Sequence, residues 1–283
     1  MLWVYLSLLA SLCWATGNII SKYSLSKISS ETATVAMLLT SPLIVLILGL
    51  VFPILFSPIA IFSGILWYLG YYAFYCALND GEVSKMVGLL LTSPIFTAIF
   101  SAMVLGEILT PVQYFGIILA VIGAVMISFE WESRKIGKGV VMIILSSILY
   151  AISDVATKMA LDTVDPISNM FWIAVTGTGM LVLGGVVWRK KIDFKSTRYM
   201  KFMLTTAILS NLGAYLFIVA CSLAFVSLVT AINTSQAMFA FIGAVIVTRL
   251  NPKLLQEDMG KKSLIKKAMS IILLIFGVIL VVV

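Results

Sequence analysis

Apolar runs of about 20 residues restrict the fold of this chain more than any other feature. A helix needs about 20 such residues to cross a bilayer, and the 283-residue sequence holds ten runs of this kind. Only 11% of its residues are charged, whereas about 25% is usual for soluble domains. We therefore predict an all-α integral membrane protein with ten transmembrane helices. The predicted spans are 2–22, 32–52, 58–78, 84–105, 111–129, 139–161, 166–188, 201–223, 226–248 and 268–283.

One polar stripe within these apolar runs occurs twice. Tyr150, Asp154 and Lys158 in the sixth run are four residues apart, so a helix places them on one face. The residues with the same spacing in the first run, 136 positions earlier, are Trp14, Asn18 and Lys22. A polar stripe that recurs after half the chain indicates two copies of one unit.

Further matches extend this repeat. Residues 68–74 resemble residues 211–217 at an offset of 143. We therefore predict two repeats of five helices each, residues 1–130 and 139–283. Because five is an odd number, the two repeats must enter the membrane in opposite directions. Inverted repeats are typical of secondary transporters, whose substrate site lies near the midplane where the repeats meet.

The basic residues indicate the orientation of the spans. The connections after odd-numbered spans hold 18 of the 19 lysines and arginines, and only Lys158 lies elsewhere. Basic connections face the cytoplasm in most membrane proteins. We therefore expect a multi-pass protein of the cell (inner or plasma) membrane with both termini outside. The net charge of +7 then reflects orientation rather than nucleic-acid binding.

The rarity of reactive side chains argues against catalysis. The sequence has no histidine, which excludes histidine proton relays, histidine metal sites and Ser-His catalysis. Cys13, Cys76 and Cys221 lie in separate apolar runs, without the spacing of a metal site. No Walker motif is present, so ATP does not drive the protein directly. We expect no enzyme activity, no metal and no cofactor.

The fourth and fifth spans carry the most distinctive motifs. A proline follows a serine in span four, a Gly-Glu pair ends that span, and glycines recur in span five: Ser93, Pro94, Gly106, Glu107, Gly116 and Gly123. Together with the repeats, this pattern resembles the EamA-type branch of the drug/metabolite transporter (DMT) superfamily over essentially the whole chain. The second repeat departs from it, because Ala237 replaces the proline and Arg249-Leu250 replace the Gly-Glu pair.

These motif residues also have a physical interpretation. Pro94 cannot donate a backbone hydrogen bond, so it frees a carbonyl in mid-span and predicts a helix kink. We interpret Glu107, at the end of span four, as a structural cap or interhelical contact. Small residues one turn apart in span five favour close helix packing: Gly116, Ala120, Gly123 and Ala124.

The resemblance implies that spans one, three, four, six, eight and nine enclose a substrate cavity. The middles of these spans hold polar and aromatic residues, which suit an amphipathic organic ligand. Core packing is the alternative for each tyrosine. The predicted substrate-binding residues are Trp14, Asn18, Tyr72, Thr92, Ser93, Tyr150, Asp154, Asn211, Tyr215, Asn233 and Gln236.

Asp154 is the only acid well inside a span. Ionisable groups at that depth are costly and usually face a cavity or a partner. Asp154 is therefore a candidate for proton coupling, together with Lys158, or for binding an amine. The alternative is an intrahelical ion pair with Lys158. The related small multidrug-resistance branch uses a first-span glutamate, but Trp14 and Tyr150 stand at that place here. That coupling chemistry is not transferred, and cation-drug export loses support.

These observations predict a secondary transporter that moves a small organic metabolite, such as an amino acid, by alternating access. Export is the direction that the resemblance suggests. Its partners are then a small-molecule substrate and the lipid bilayer, and the protein is a monomer or homodimer. A passive facilitator and a carrier of lipid-linked groups remain alternatives. An intramembrane enzyme is the least favoured, since it needs clustered acids or an activated nucleophile.

Overall fold

The computed structural model describes residues 1–25, 28–80, 83–128, 138–192, 197–250 and 261–283. Within these residues the chain is helical and contains no strand. The helices are α1 (Leu2–Leu25), α2 (Ser30–Leu38), α3 (Ser41–Val51), α4 (Pro58–Asp80), α5 (Val83–Leu90), α6 (Ser93–Val104), α7 (Pro111–Ser128), α8 (Lys138–Leu161), α9 (Pro166–Val187), α10 (Thr197–Leu223), α11 (Val226–Asn233), α12 (Gln236–Leu250) and α13 (Lys261–Val282).

These helices confirm the predicted fold class. Among the described residues, nine segments are long and apolar enough to cross a membrane. The shorter apolar segment Pro111–Ile127 corresponds to the predicted fifth span. The result is a multi-pass, all-helical membrane protein that is consistent with a ten-helix arrangement. The inverted relation between the two halves stays a prediction.

Three of the predicted spans each consist of two helices. Span two is α2 followed by α3, span four is α5 followed by α6, and span nine is α11 followed by α12. Prolines at the starts of α3 and α6 account for two of the breaks, because a proline lacks the N–H that an unbroken helix needs. The break in span nine, at residues 234–235, has no proline beside it.

Side chains before the first turn explain where other helices begin. The Asp165 carboxylate accepts hydrogen bonds from the backbone N–H groups of Ile167 at 2.9 Å and Ser168 at 3.1 Å. Pro166 follows in the first turn of α9, where its missing N–H costs nothing. Ser29 caps α2 in the same way, through the N–H of Thr32 at 3.2 Å. Local sequence therefore fixes both helix starts.

The helices pack most extensively in three pairs, α1 with α10, α4 with α8 and α7 with α13. Glycines allow the third pair to approach closely. A Cβ atom added at Gly116 would lie 2.8 Å from the carbonyl oxygen of Gly277, and one at Gly123 would lie 2.6 Å from the backbone nitrogen of Leu274. Only glycine fits at such distances, which confirms the predicted packing role of the small residues in span five.

Candidate functional site

A cavity lies between spans one, three, four, six, eight and nine. The centre of a water molecule can occupy about 90 Å³ of this cavity. Its lining residues are Trp14, Asn18, Trp67, Tyr71, Phe74, Leu90, Leu91, Ser93, Pro94, Tyr150, Asp154, Ser210, Phe217, Thr230, Asn233 and Gln236. The six spans are those that the family resemblance implied, and they come from both halves of the chain.

Aromatic rings form a continuous wall of this cavity. Trp67 of α4 is at its centre, with ring centroids 6.1 Å from Trp14, 5.5 Å from Tyr150, 6.0 Å from Tyr71 and 6.4 Å from Phe217. These separations fall in the range that favours tilted and edge-to-face ring pairs. The indole N–H of Trp14 donates to the carbonyl oxygen of Ser210 at 3.2 Å, which fixes that ring. The wall is therefore rigid and largely apolar.

Asp154, Asn18 and Gln236 are polar side chains of the cavity lining that have no hydrogen-bond partner among the described residues. Asp154 is 6% exposed, and no described residue donates a hydrogen bond to its carboxylate or forms an ion pair with it. The amides of Asn18 and Gln236 also lack side-chain hydrogen bonds to any residue that the structure describes. Buried polar groups are normally hydrogen-bonded. These three groups are thus free to bind a ligand or water.

Lys158 does not pair with Asp154, and this corrects the alternative of an intrahelical ion pair. Its ammonium donates to the carbonyl oxygens of Cys221 at 2.7 Å and Ala224 at 3.0 Å. Both carbonyls lie at the C-terminal end of α10, where a cation is favoured by the helix dipole. The lysine therefore caps a helix, and its charge does not neutralise the aspartate.

Glu107 caps a helix of the other half of the chain. Its carboxylate, 4% exposed, accepts hydrogen bonds from the N–H of Val226 at 2.8 Å and the N–H of Ser227 at 3.2 Å. The Ser227 hydroxyl donates to the same carboxylate. These groups form the N-terminus of α11, which attracts negative charge. The structure thus confirms the interpretation of Glu107 as a structural cap.

Comparison with known proteins supports a transport role. Residues 1–129 match the EamA-like transporter family. This half of the chain belongs to that family. A solved structure described only as "Crystal structure of protein" matches with a TM-score of 0.77 and 13% identity, covering 99% of this chain and 96% of the other. At that identity the likeness shows the fold alone. No curated protein matches the sequence.

The match of residues 1–129 to this family, which is part of the DMT superfamily, points to a membrane transporter. Transporters of this kind are generally not enzymes. The described residues contain no group of three or more His, Cys, Asp or Glu side chains that could hold a metal ion. The lining of the cavity combines aromatic rings with a few polar side chains.

The structure brings seven of the predicted binding residues together in the cavity: Trp14, Asn18, Ser93, Tyr150, Asp154, Asn233 and Gln236. The other four lie elsewhere. Tyr72 stacks on Trp188, with ring centroids 4.8 Å apart. The Thr92 hydroxyl donates to the carbonyl of Leu89 at 2.7 Å. Asn211 donates to Thr40 Oγ1 at 2.8 Å, and Tyr215 packs among apolar residues. Their contacts indicate structural roles.

Several lining residues were not predicted from the sequence, although the repeat points to some of them. Phe74 and Phe217 lie at the same offset of 143 as Tyr72 and Tyr215, and this phenylalanine pair reaches the cavity. Trp67 and Ser210 form another pair at that offset. In all, twelve of the sixteen lining residues form six pairs at the offsets of 136 and 143. Matching positions in the two halves therefore build most of the site.

Proposed function

We propose that this protein is a secondary transporter that moves a small organic metabolite, such as an amino acid, across the cell membrane by alternating access, and that it works as an exporter. The observation that carries this proposal is the cavity between the two halves. Its aromatic wall and its unpartnered Asp154, Asn18 and Gln236 form an amphipathic binding site. Both termini face outside in this proposal, and a monomer or homodimer suffices.

The cavity suits a small solute. A volume of about 90 Å³ for the centres of water-sized molecules holds several waters, since one water needs roughly 10–15 Å³ by this measure. A lining of apolar rings with a few convergent polar groups is typical of small-molecule sites. Because the lining comes from matching positions of both halves, a rocking movement of one half against the other would change access to it.

Contacts between the halves support such a movement. Glu107, which follows α6, holds the N-terminus of α11 in the other half of the chain. The contact consists of three hydrogen bonds at the end of span four. When this contact opens to water, water replaces the lost partners, so the groups are not left unsatisfied as they are when Glu107 is removed from the closed protein. We propose that this end opens in the alternate state. Asp154 is the proposed coupling group, and Lys158, which caps α10, has no part in coupling.

A second candidate is a carrier of lipid-linked groups, favoured by an apolar groove of about 540 Å³. Its lining residues come from spans three, four and six: Pro58, Ile59, Phe62, Phe100, Val104, Ile152, Val155, Ala156 and Met159. The groove and the central cavity have no lining residue in common. It is suited to an acyl chain, and it offers no polar group for a headgroup. We therefore place it second.

Counterflow in proteoliposomes tests the proposal. Purified protein is reconstituted and screened for saturable exchange of amino acids, amines and neutral metabolites, with and without a pH gradient. We expect saturable exchange of at least one water-soluble solute. Asp154→Asn should abolish accumulation driven by a pH gradient. Asp162→Asn, an equal charge change at an exposed position just after the same helix, should not.

The outcomes separate the candidates. Saturable exchange with trans-stimulation identifies a carrier, and non-saturating flux identifies a passive facilitator instead. Exchange in the outward direction from loaded, oriented vesicles supports export. If no water-soluble solute exchanges but a lipid-linked substrate competes for the protein, the second candidate replaces the first.

A further inference from the structure

The charge and wall of the central cavity together define a class of ligand. We propose that the substrate is a small organic cation, whose ammonium group binds between the Asp154 carboxylate and the aromatic rings, and which carries no carboxylate. This inference rests on the proposed transport function and narrows its substrate class, because amines then take the place of amino acids as the expected substrates. The unpartnered Asp154, nine-tenths buried and facing the cavity, is the starting observation.

The cavity lining has a single formal charge. Among its sixteen residues Asp154 is the one acid, and no lysine or arginine is present. Lys158, the basic residue nearest along α8, donates to the carbonyls of Cys221 and Ala224 and does not reach the aspartate. A charge in a site of low dielectric is stabilised by an opposite charge. A cationic ligand supplies that charge, and the described protein groups do not.

The aromatic wall lies beside this carboxylate. Tyr150 precedes Asp154 by one helical turn on α8, and its ring is 5.5 Å from that of Trp67 and 5.8 Å from that of Tyr71. The electron-rich faces of such rings attract ammonium groups, and tryptophan does so most strongly. The rings also exclude water, which strengthens the attraction of the cation to the carboxylate. Carboxylate and rings therefore favour the same ligand group.

A ligand carboxylate would find no counterpart of equal strength. The polar donors of the lining, among them the side-chain amides of Asn18 and Gln236, are all neutral. An anionic group near them would also be repelled by Asp154. The same amides are suited to a hydroxyl or amide group on the remainder of a cationic ligand. The argument depends on Asp154 and the rings, and it does not require the first-span glutamate of the small multidrug-resistance branch.

A series of ligands that differ in charge tests the inference. Binding to the full-length protein in nanodiscs is measured by calorimetry for 3-methylbutylamine and tetramethylammonium, which are cations, and for leucine, which is the first amine with an added carboxylate. The neutral 3-methylbutanol and the anion 4-methylpentanoate complete the series. We expect the cations to bind at least about 30-fold more tightly than the others, since an unpaired buried charge costs at least that factor.

Two variants test the position of the charge. Asp154→Asn should weaken cation binding by about the same 30-fold factor. The double variant Asn18→Asp/Asp154→Asn moves the acid to the matching position of the first half, which lines the same cavity. We expect it to recover part of the cation affinity. Recovery shows that the protein folds when it carries Asp154→Asn and that the carboxylate charge itself binds the cation. Asp162→Asn, exposed and outside the cavity, is the matched control.

Some results overturn the inference. It fails if leucine or 4-methylpentanoate binds as tightly as the cations, if Asp154→Asn keeps the cation affinity, or if neither cation binds at millimolar concentration. In each case the transport proposal stands as long as some solute exchanges in proteoliposomes. If no solute of any charge binds or exchanges, the transport proposal fails as well.

Discussion

The helix breaks in spans four and nine lie at matching positions but are built differently. In span four the break precedes Pro94, and in span nine the matching residue is Ala237. Both breaks nevertheless have the same tight turn. The N–H of Thr92 bonds to the carbonyl of Leu89 at 3.2 Å, and the matching N–H of Ser235 bonds to that of Ile232 at 2.9 Å. Such three-residue steps mark a local 3₁₀ turn.

A serine from the facing span reaches each break. In span four, Ser147 Oγ lies 3.2 Å from the carbonyl oxygen of Leu90, the group that Pro94 leaves without its helical partner. In span nine, Ser11 Oγ lies 3.2 Å from the side-chain oxygen of Asn233, which matches Leu90. Because the turn persists in span nine without a proline, a proline is not required for a break at this position.

The largest expected effect concerns the ends of these spans. Glu107→Ala leaves the buried N–H groups of Val226 and Ser227 without acceptors, which should cost roughly 3 kcal/mol. Arg249→Ala, at the corresponding exposed end of span nine, should change stability little. Thermal unfolding of both variants in detergent measures the difference. Equal shifts in Tm would show that the two spans end in equivalent ways.

The second prediction concerns the two serines. Ser147→Ala removes the hydroxyl near the Leu90 carbonyl and should cost about 1 kcal/mol. The cost should be about the same beside Pro94→Ala, because the matching Ala237 N–H bonds the carbonyl of Thr234 at 3.0 Å and not that of Asn233, which matches Leu90. Ser11→Ala should cost less than Ser147→Ala, because the Asn233 side chain can turn toward the cavity. An unchanged Tm for Ser147→Ala would indicate that Ser147 does not act on the freed carbonyl.

The third prediction addresses the proline directly. Pro94→Ala should change stability by less than about 1 kcal/mol and leave the break between α5 and α6 in place, as Ala237 does in span nine. An experimental structure of the variant shows the backbone at residues 90–94. A straight, continuous span four would mean that proline, rather than the facing span, decides the break there.

The smallest expected effect concerns Asp165. This residue caps the helix that directly follows it, whereas Glu107 caps a helix of the other half of the chain. Burial opposes ionisation of Asp165, but hydrogen bonds from Ser168 and Ile167 outweigh it and hold the pKa of Asp165 below its ordinary value. The stabilisation is then present above the unfolded pKa and is lost as the pH falls through the folded one, below about pH 4. Since the group is largely exposed, we expect well under about 1 kcal/mol.

Melting curves between neutral and acid pH measure this contribution. Asp165→Asn keeps a capping side chain but cannot ionise, so its Tm should fall less than that of the wild type as the pH is lowered. Identical pH profiles for the two proteins would mean that the hydrogen bonds of Asp165 contribute nothing measurable to folding.

The sequence alone determined the features that depend on composition and short spacing. The spans follow from hydropathy, because a bilayer core excludes unsatisfied backbone groups and selects helices of about 20 apolar residues. The Asp165 cap and the polar stripe that contains Asp154 follow from neighbours within one or two turns. These arrangements are local, so a single segment contains the information that they need.

Tertiary structure alone decided which face of each span meets the cavity. Lipid is as apolar as the protein interior, so an apolar span has no hydrophobic face that would reveal its orientation. For this reason the repeat pointed equally to Tyr72 and to Phe74, and only packing turned Phe74 toward the cavity. Lys158 and Glu107 likewise find partners 63 and 119 residues away. Which partners these two residues bind depends on how the helices assemble, and no local sequence pattern contains that information.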